Sequence, residues 1–224
     1  MKIKLLVAVA ATVVASSAMA QSAFEGAYGQ LGIGFDNNTA NSSDITLRGT
    51  TISAPGASGG SFTSTAGLGY NFAVAKEFLL GIGADYGFIN SGTFYGSNSN
   101  ITNAGFQVTN RYNIFVTPGY VIDKNKLAYL KVGYSSQNLK VTDGQSGSAT
   151  NGQTIAQGNA TGYVMGLGYK QMVSNGFYGF SEANYYNYGG VASSSKTLTD
   201  GTVITNYSPK SNAYQFLVGV GYKF

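Results

Sequence analysis

The 224-residue chain carries 17 Tyr, 13 Phe and 32 Gly but only 3 Pro, and 10% of its residues are charged, where roughly a quarter is usual for a soluble domain. That aromatic content excludes disorder, and the absence of Cys and His excludes disulfides, thiol chemistry, Ser-His or Cys-His catalysis and histidine metal sites. A net charge of +4, with the lysines scattered, gives no basic footprint for nucleic acid.

The chain opens on a basic Met1-Lys2-Ile3-Lys4. An uncharged, mostly apolar run comes next, from Leu5 to Val14, then a small-x-small Ala18-Met19-Ala20 before Gln21. This is the layout of a cleaved signal peptide over 1–20, and the apolar run is too short for a membrane helix. It leaves one domain, 21–224, with a net charge of +2 once Lys2 and Lys4 are gone. No later segment has the unbroken apolar length of a membrane helix.

From there to the C-terminus a period of two recurs in segment after segment. The first strand is expected over 24–35, with Ala27, Leu31, Ile33 and Phe35 on one face and Tyr28, Gln30, Gly32 and Gly34 on the other. A polar segment, 36–60, leads to a strand over 61–72 with Leu68, Tyr70 and Phe72 sharing a face. A tight link, 73–76, leads to a strand over 77–89, where Leu80, Ile82, Ala84, Tyr86 and Phe88 oppose Gly81, Gly83, Asp85 and Gly87. After a polar loop, 90–105, the strand over 106–122 sets Tyr112, Ile114, Val116 and Tyr120 against Thr109, Arg111, Asn113 and Thr117. Pro118 on its apolar face strains that assignment, since proline removes a ladder donor.

The turn Asp123-Lys-Asn-Lys126 begins a hairpin, and the strand over 127–141 alternates Leu130, Val132 and Tyr134 with Tyr129, Lys131 and Gly133. A third long loop, 142–158, precedes the strand over 159–172, with Tyr163, Met165, Leu167 and Tyr169 opposite Gly166, Gly168 and Lys170. The seventh strand, 177–188, has the weakest pattern: Gly179, Ser181, Ala183 and Tyr185 outward, Phe180, Glu182, Asn184 and Tyr186 inward. A last long loop, 189–211, leads to the C-terminal strand, where Tyr214, Phe216, Val218, Val220, Tyr222 and Phe224 alternate with polar residues and glycine.

Short links therefore fall near 75, 125 and 175, with long loops between them. Four hairpins of this kind describe an all-β, eight-stranded, antiparallel up-and-down transmembrane β-barrel. It has short periplasmic turns, long extracellular loops and both termini periplasmic. An aromatic C-terminal strand left unpaired would invite aggregation, whereas a closed barrel pairs it and gives its apolar face to lipid. The aromatics fall in two belts on the apolar faces: Phe72, Tyr120 and Tyr169 toward the short turns, and Tyr86, Tyr112, Tyr134 and Tyr163 toward the long loops. Those are the interface positions of a lipid-crossing barrel.

The chain resembles the small eight-stranded outer-membrane proteins of the OmpA-transmembrane, OmpX and opacity-protein type. The resemblance covers the whole mature chain. It rests on the signal peptide, on Gly-Leu-Gly-Tyr and Gly-Val-Gly-Tyr strand ends, on Ser181-Glu-Ala-Asn-Tyr185 and on the terminal Phe224. It implies the outer membrane of a Gram-negative bacterium as the location. It implies outer-membrane lipid and lipopolysaccharide as surroundings, and the barrel-assembly machinery as a partner during biogenesis. Phe216, Val218, Val220, Tyr222 and Phe224 would be the assembly signal. The peptidoglycan-binding domain of full-length OmpA-like proteins has no counterpart after Phe224, and no cofactor is implied.

The inward charges Asp85, Arg111, Lys131, Lys170, Glu182 and Lys223 are the candidate site, because a charge facing a lumen must be paired or wet. In the resembled family such charges form a salt-bridged network that plugs or gates a narrow path. Glu182 with Lys170 or Lys131, and Asp85 with Arg111, are the expected pairs. Eight strands leave a lumen that side chains fill, which favours a packed polar core. Four inward cations against two anions would give a pore, if one existed, a mild anion preference. The inward glycines fit a crowded lumen and lack the βαβ context of a phosphate loop. A carboxylate pair of Asp85 with Glu182 is the remaining route to catalysis, but nothing in the sequence joins them, and the outer-membrane enzymes resembled use histidine. The resemblance therefore implies no enzyme but a structural and surface-interacting role: envelope integrity, and adhesion to host or cell-surface ligands through the loops. A narrow, low-conductance pore for small solutes is the alternative.

Overall fold

A computed structural model describes residues 22–144, 147, 149–191 and 195–224. The leader expected over 1–20 lies outside them. The strands in chain order are β1 (Gly26–Ala40), β2 (Ser43–Leu47), β3 (Thr50–Ala54), β4 (Ala57–Ala75), β5 (Phe78–Gly87), β6 (Phe94–Gly96), β7 (Ala104–Asp123), β8 (Lys126–Thr142), β9 (Thr154–Met172), β10 (Phe177–Tyr188), β11 (Lys196–Thr197), β12 (Val203–Thr205) and β13 (Ser211–Lys223). Eight of them close a ring through antiparallel neighbours, in the order β1, β4, β5, β7, β8, β9, β10, β13 and back to β1. The first and last strands close it in a continuous register from Tyr28↔Lys223 to Ala40↔Ser211. A second sheet, β11-β12-β2-β3, is built from the long loops, and β6 pairs with the outer end of β7.

The ring forms because each strand carries one face that lipid accepts. Leu31, Ile33, Leu68, Ile82, Ile114, Leu130, Leu167, Val218 and Val220 all point outward and are exposed, Leu167 at 64%. In water such a surface would drive association; in hydrocarbon it is the favourable state. Tyr86, Tyr112, Tyr134 and Tyr163 stand outward near the long loops, and Tyr120, Tyr169 and Phe72 outward near the short turns.

Two expectations about strand phase and extent change. An unbroken alternation would place Thr109 inward with Arg111. Instead β7 carries a bulge between Thr109 and Tyr112, with Asn110 at φ 52. The extra residue flips the alternation: Phe106 and Val108 are buried inside before it, Arg111 and Asn113 inside after it. Tyr86 donates its hydroxyl to Asn110 Oδ1 (2.9 Å) across the neighbouring strand. Near Pro118 the β7–β8 register passes from Val116↔Val132 to Gly119↔Tyr129 without a shift, so the lost donor interrupts the ladder and does not redirect it.

The segments 36–60, 90–105, 142–158 and 189–211, expected as loops, are also partly strand. β1 runs on to Ala40, β4 begins at Ala57 and β9 at Thr154. The outward residues there are Asn37, Thr39, Ser58 and Gln157, so the apolar outer face that marks a membrane strand ends while the pairing continues.

Candidate functional site

The inward faces of the ring fill it in layers. At the short-turn end, Phe24, Tyr28, Leu79, Leu127, Tyr129, Tyr178, Phe180 and Leu217 form a buried apolar cluster. Inward glycines make room for these rings. A Cβ at Gly168 would collide with the Tyr129 ring, and one at Gly221 with Tyr178. Within this layer Lys170 is buried and its Nζ lies 3.8 Å from the Tyr28 ring centroid, 4.9 Å from Tyr178 and 5.4 Å from Tyr129. Three ring faces thus surround the ammonium.

The middle layer is centred on Lys131, 1% exposed. Its Nζ donates to Asp85 Oδ2 at 2.7 Å and to Glu182 Oε1 at 2.8 Å. Tyr129 donates its hydroxyl to the other Glu182 oxygen (2.9 Å), and the Asn184 amide donates to Glu182 Oε1 (2.7 Å) and to Gln215 (3.1 Å). Tyr186 also donates to Gln215, and Asn113 donates to Asp85. Two carboxylates around one ammonium leave one negative charge, which Tyr129, Asn184 and Asn113 stabilise by donating to the carboxylates alongside the lysine. Each carboxylate oxygen of Asp85 and Glu182 thus accepts at least one hydrogen bond, which is what makes a buried charge cluster tolerable.

Above it lies Arg111. Its Nη1 is 2.7 Å from Asp36 Oδ2, Nη2 donates to Asn38 Oδ1 at 2.6 Å, and Nε and Nη2 both reach Gln137 Oε1. The guanidinium lies over Tyr186 at 4.5 Å. Beside these two networks is a void of about 20 Å³ bordered by Asp36, Asp85, Arg111 and Asn113, about the room for one water.

Beyond the lipid belt the interior turns apolar again. Phe106 and Val108 of β7, Leu139 and Val141 of β8, and Val164 of β9 pack with Ile45, Ala54, Phe94, Leu198, Ile204 and Tyr207 from the loop strands. The β2–β3 and β11–β12 hairpins are thereby held as an ordered cap. Arg48 pins it, donating to Thr202 Oγ1 at 2.9 Å and lying 3.4 Å from Asp200. Asp200 also accepts the Thr202 amide and hydroxyl. Those bonds, the amide's first, hold its carboxyl below the usual carboxylate range.

Of the expected pairs, Glu182 lies on Lys131, not on Lys170, and Asp85 lies on Lys131, not on Arg111. Arg111 takes Asp36, a residue assigned by sequence to a loop. The register explains the exchange: Asp85 is level with Asn113, two residues nearer the short turns than Arg111. Lys223 sits half-buried at the rim and forms no ion pair among the described residues, because its strand ends there. Asp85 and Glu182, which nothing in the sequence joined, do share a partner, but both are buried, and the void beside Asp85 holds about one water. The aromatic fillers Tyr28, Tyr129, Tyr178 and Phe180 were legible only as the large members of an otherwise small inward face.

A closed ring with apolar exterior, two aromatic belts and a filled interior defines a small outer-membrane β-barrel. The chain belongs to the outer membrane protein beta-barrel domain family, whose model matches residues 6–224. It lies in the outer membrane of a Gram-negative cell. No curated sequence matches it significantly. Among solved structures it is similar to OprG from Pseudomonas aeruginosa, with a TM-score of 0.53, 13% identity, and coverage of 91% of this chain and 99% of that one. It is also similar to Ail of Yersinia pestis in complex with the heparin analogue sucrose octasulfate (0.46, 15%, 89% and 99%). The chain is also similar to the outer membrane protease OmpT from Escherichia coli (TM-score 0.48, 9% identity, 93% and 100%). At these identities the likeness is one of fold.

Proposed function

We propose that this protein is a non-conducting, non-enzymatic outer-membrane scaffold, which contributes to envelope integrity and holds an ordered β-sheet cap for recognition at the cell surface. The observation that carries the reading is the layered interior: an aromatic layer, a buried ion-paired network and an apolar cap core lie in series along the barrel. A narrow, mildly anion-favouring pore would need a continuous wet path past Lys131 and Arg111, and the void there is about 20 Å³. The recognition surface is the cap, because its buried loop residues fix the exposed ones in place. The sulfated ligand of Ail is not carried over. The loops here hold Arg48, Lys140, Lys196 and Lys210 against Asp44, Asp143 and Asp200, a nearly balanced and mostly uncharged Ser/Thr/Asn surface. A neutral protein or glycan surface on host or neighbouring cells fits it better.

Single-channel recording of the refolded mature chain, Gln21 to Phe224, tests the closed lumen. Silent bilayers with folded protein are expected. Conductance steps whose size or selectivity changes in Arg111→Ala would overturn the reading and make Arg111 part of a path. For the cap, replacing residues 43–54 and 196–205 with short Gly-Ser links should abolish adherence of expressing cells while the heat-dependent gel shift of the barrel persists. For biogenesis, Phe216, Val218, Val220, Tyr222 and Phe224 form the outward face of the seam strand. We read them as the signal engaged by the assembly machinery, so deleting Phe224 should lower the amount of folded protein in the outer membrane.

A further inference from the structure

The lipid-facing surface is not uniformly smooth. A hollow of about 700 Å³ opens on its outer half, bordered by Phe35, Met165, Leu167, Ala183, Tyr214 and Phe216. The registers show how it arises. Across β13, β10 and β9 the outward residues form level rows, and two of them border the hollow, Phe216–Ala183–Leu167 and, above it, Tyr214–Tyr185–Met165. The lower row is high at its walls and low in the middle, at Ala183.

The chemistry of the mouth is graded. The Tyr185 and Tyr214 rings pack 5.0 Å apart at the upper end of the hollow. The next outward positions are amides: Asn37 level with Tyr214, and Asn187 level with Asn212. The next outward position after Asn212 is the exposed Lys210, whose carbonyl accepts the Asn41 amide and so continues the β1–β13 ladder. Apolar trough, aromatic collar, amides and ammonium thus succeed one another along a single line up the barrel wall.

We propose that this line binds one phosphorylated glycolipid of the outer leaflet, a lipid A type molecule. An acyl chain lies in the hollow, its sugar meets the amides and its phosphate meets Lys210. The charge order decides the occupant. A second copy of this chain would have to bury Lys210 and three amides against the same residues, without a carboxylate in the rows described. A lysine at the headgroup level, by contrast, reaches a lipid phosphate while its stem stays on apolar surface. The inference rests on the outer-membrane location with the long loops outward. It does not depend on the lumen being closed, so silent or conducting bilayers leave it unaffected.

The test is native mass spectrometry of the mature chain released from detergent. The protein is titrated with lipid A, with its monophosphoryl form and with phosphatidylglycerol. Folding is checked by the heat-dependent gel shift. Wild type should retain a single lipid A in preference to phosphatidylglycerol. Ala183→Phe, which fills the trough, should lower retention about tenfold, whereas Ile114→Phe on the far wall should leave it unchanged. Lys210→Glu, a change at an exposed side chain, should lower retention of lipid A and narrow the gap to the monophosphoryl form. Equal retention of lipid A and phosphatidylglycerol would mean an unspecific lipid annulus and would overturn the proposal. So would equal loss in the Ala183 and Ile114 variants, or a dimer that Ala183→Phe dissociates while lipid A stays bound. If Ala183→Phe fails to fold, unchanged retention in Lys210→Glu is by itself enough to overturn it.

Discussion

Strand β8 shows two solvents in one element. Near its middle Leu130, Val132 and Tyr134 point outward and Lys131 inward; farther along, Leu139 and Val141 point inward and Asn138 and Lys140 outward. The alternation never breaks, but its polarity inverts where the surroundings change from hydrocarbon to water. In the lower half the barrel is held by ladder hydrogen bonds and by an interior of packed aromatic rings and paired charges, since lipid supplies no hydrophobic drive between apolar outer faces. In the upper half it is held as a soluble protein is, by burying apolar side chains away from water. The lesson is that an outer-membrane strand is best read against its solvent at each height, not by one rule for its whole length.

The largest effect should come from cutting the charged interior. Lys131→Met leaves Asp85 and Glu182 facing each other without a cation and should cost about 3–5 kcal/mol, seen as a fall in the urea midpoint of the folded barrel in lipid vesicles. Restoring most of that loss with Asp85→Asn in the same chain would sharpen the claim; no loss would break it. Next, Leu139→Ala should cost about 2–5 kcal/mol but act on the cap. Its signature is faster proteolysis of the outer loops with the gel shift intact. A barrel that unfolds as one unit would erase the distinction between the halves.

On the lipid face, Leu130→Arg should cost about 2–4 kcal/mol if it sits near the bilayer midplane, and less toward the interfaces. The same Arg placed at Asn138 should cost almost nothing, because that position meets water. The smallest effect is expected at Asp200, where the folded carboxyl titrates below its unfolded value. Its contribution to cap stability is therefore present at neutral pH and is lost as pH falls through the folded value. The difference in cap proteolysis between wild type and Asp200→Asn should shrink on acidification. A difference that grows instead would mean the Arg48 and Thr202 contacts do not stabilise the cap.

The membrane strands were legible because lipid imposes a strict period of two, and Tyr86, Tyr112, Tyr134 and Tyr163 mark where that rule stops. Past those tyrosines Asn37, Thr39, Ser58 and Gln157 read as loop, although they are outward residues of continuing strands. The inward charges were legible as a set, since nothing else places Lys131 or Glu182 on the small face of a strand. Of their partners, Lys131 for Glu182 was among the expected alternatives, but the partners of Asp85 and Arg111 were not, because pairing across a barrel depends on stagger summed over several strands, and each bulge shifts that sum.

The chain's alternation, glycine placement and aromatic belts thus determined the class of fold, the eight strands of the ring, the direction of the loops and, apart from the Thr109 bulge, which membrane-strand residues turn inward. Folding in three dimensions decided the rest. It moved Asp85 from Arg111 to Lys131, brought Asp36 out of an apparent loop to pair with Arg111, enclosed Lys170 in three tyrosines and gathered Ile45, Phe94, Leu198 and Ile204 into a cap. The physical reason is range. Which side a residue faces is set by its neighbours two positions away, whereas what it meets there is set by strands as much as 148 residues distant in the chain, as where Tyr178 donates to Gln30.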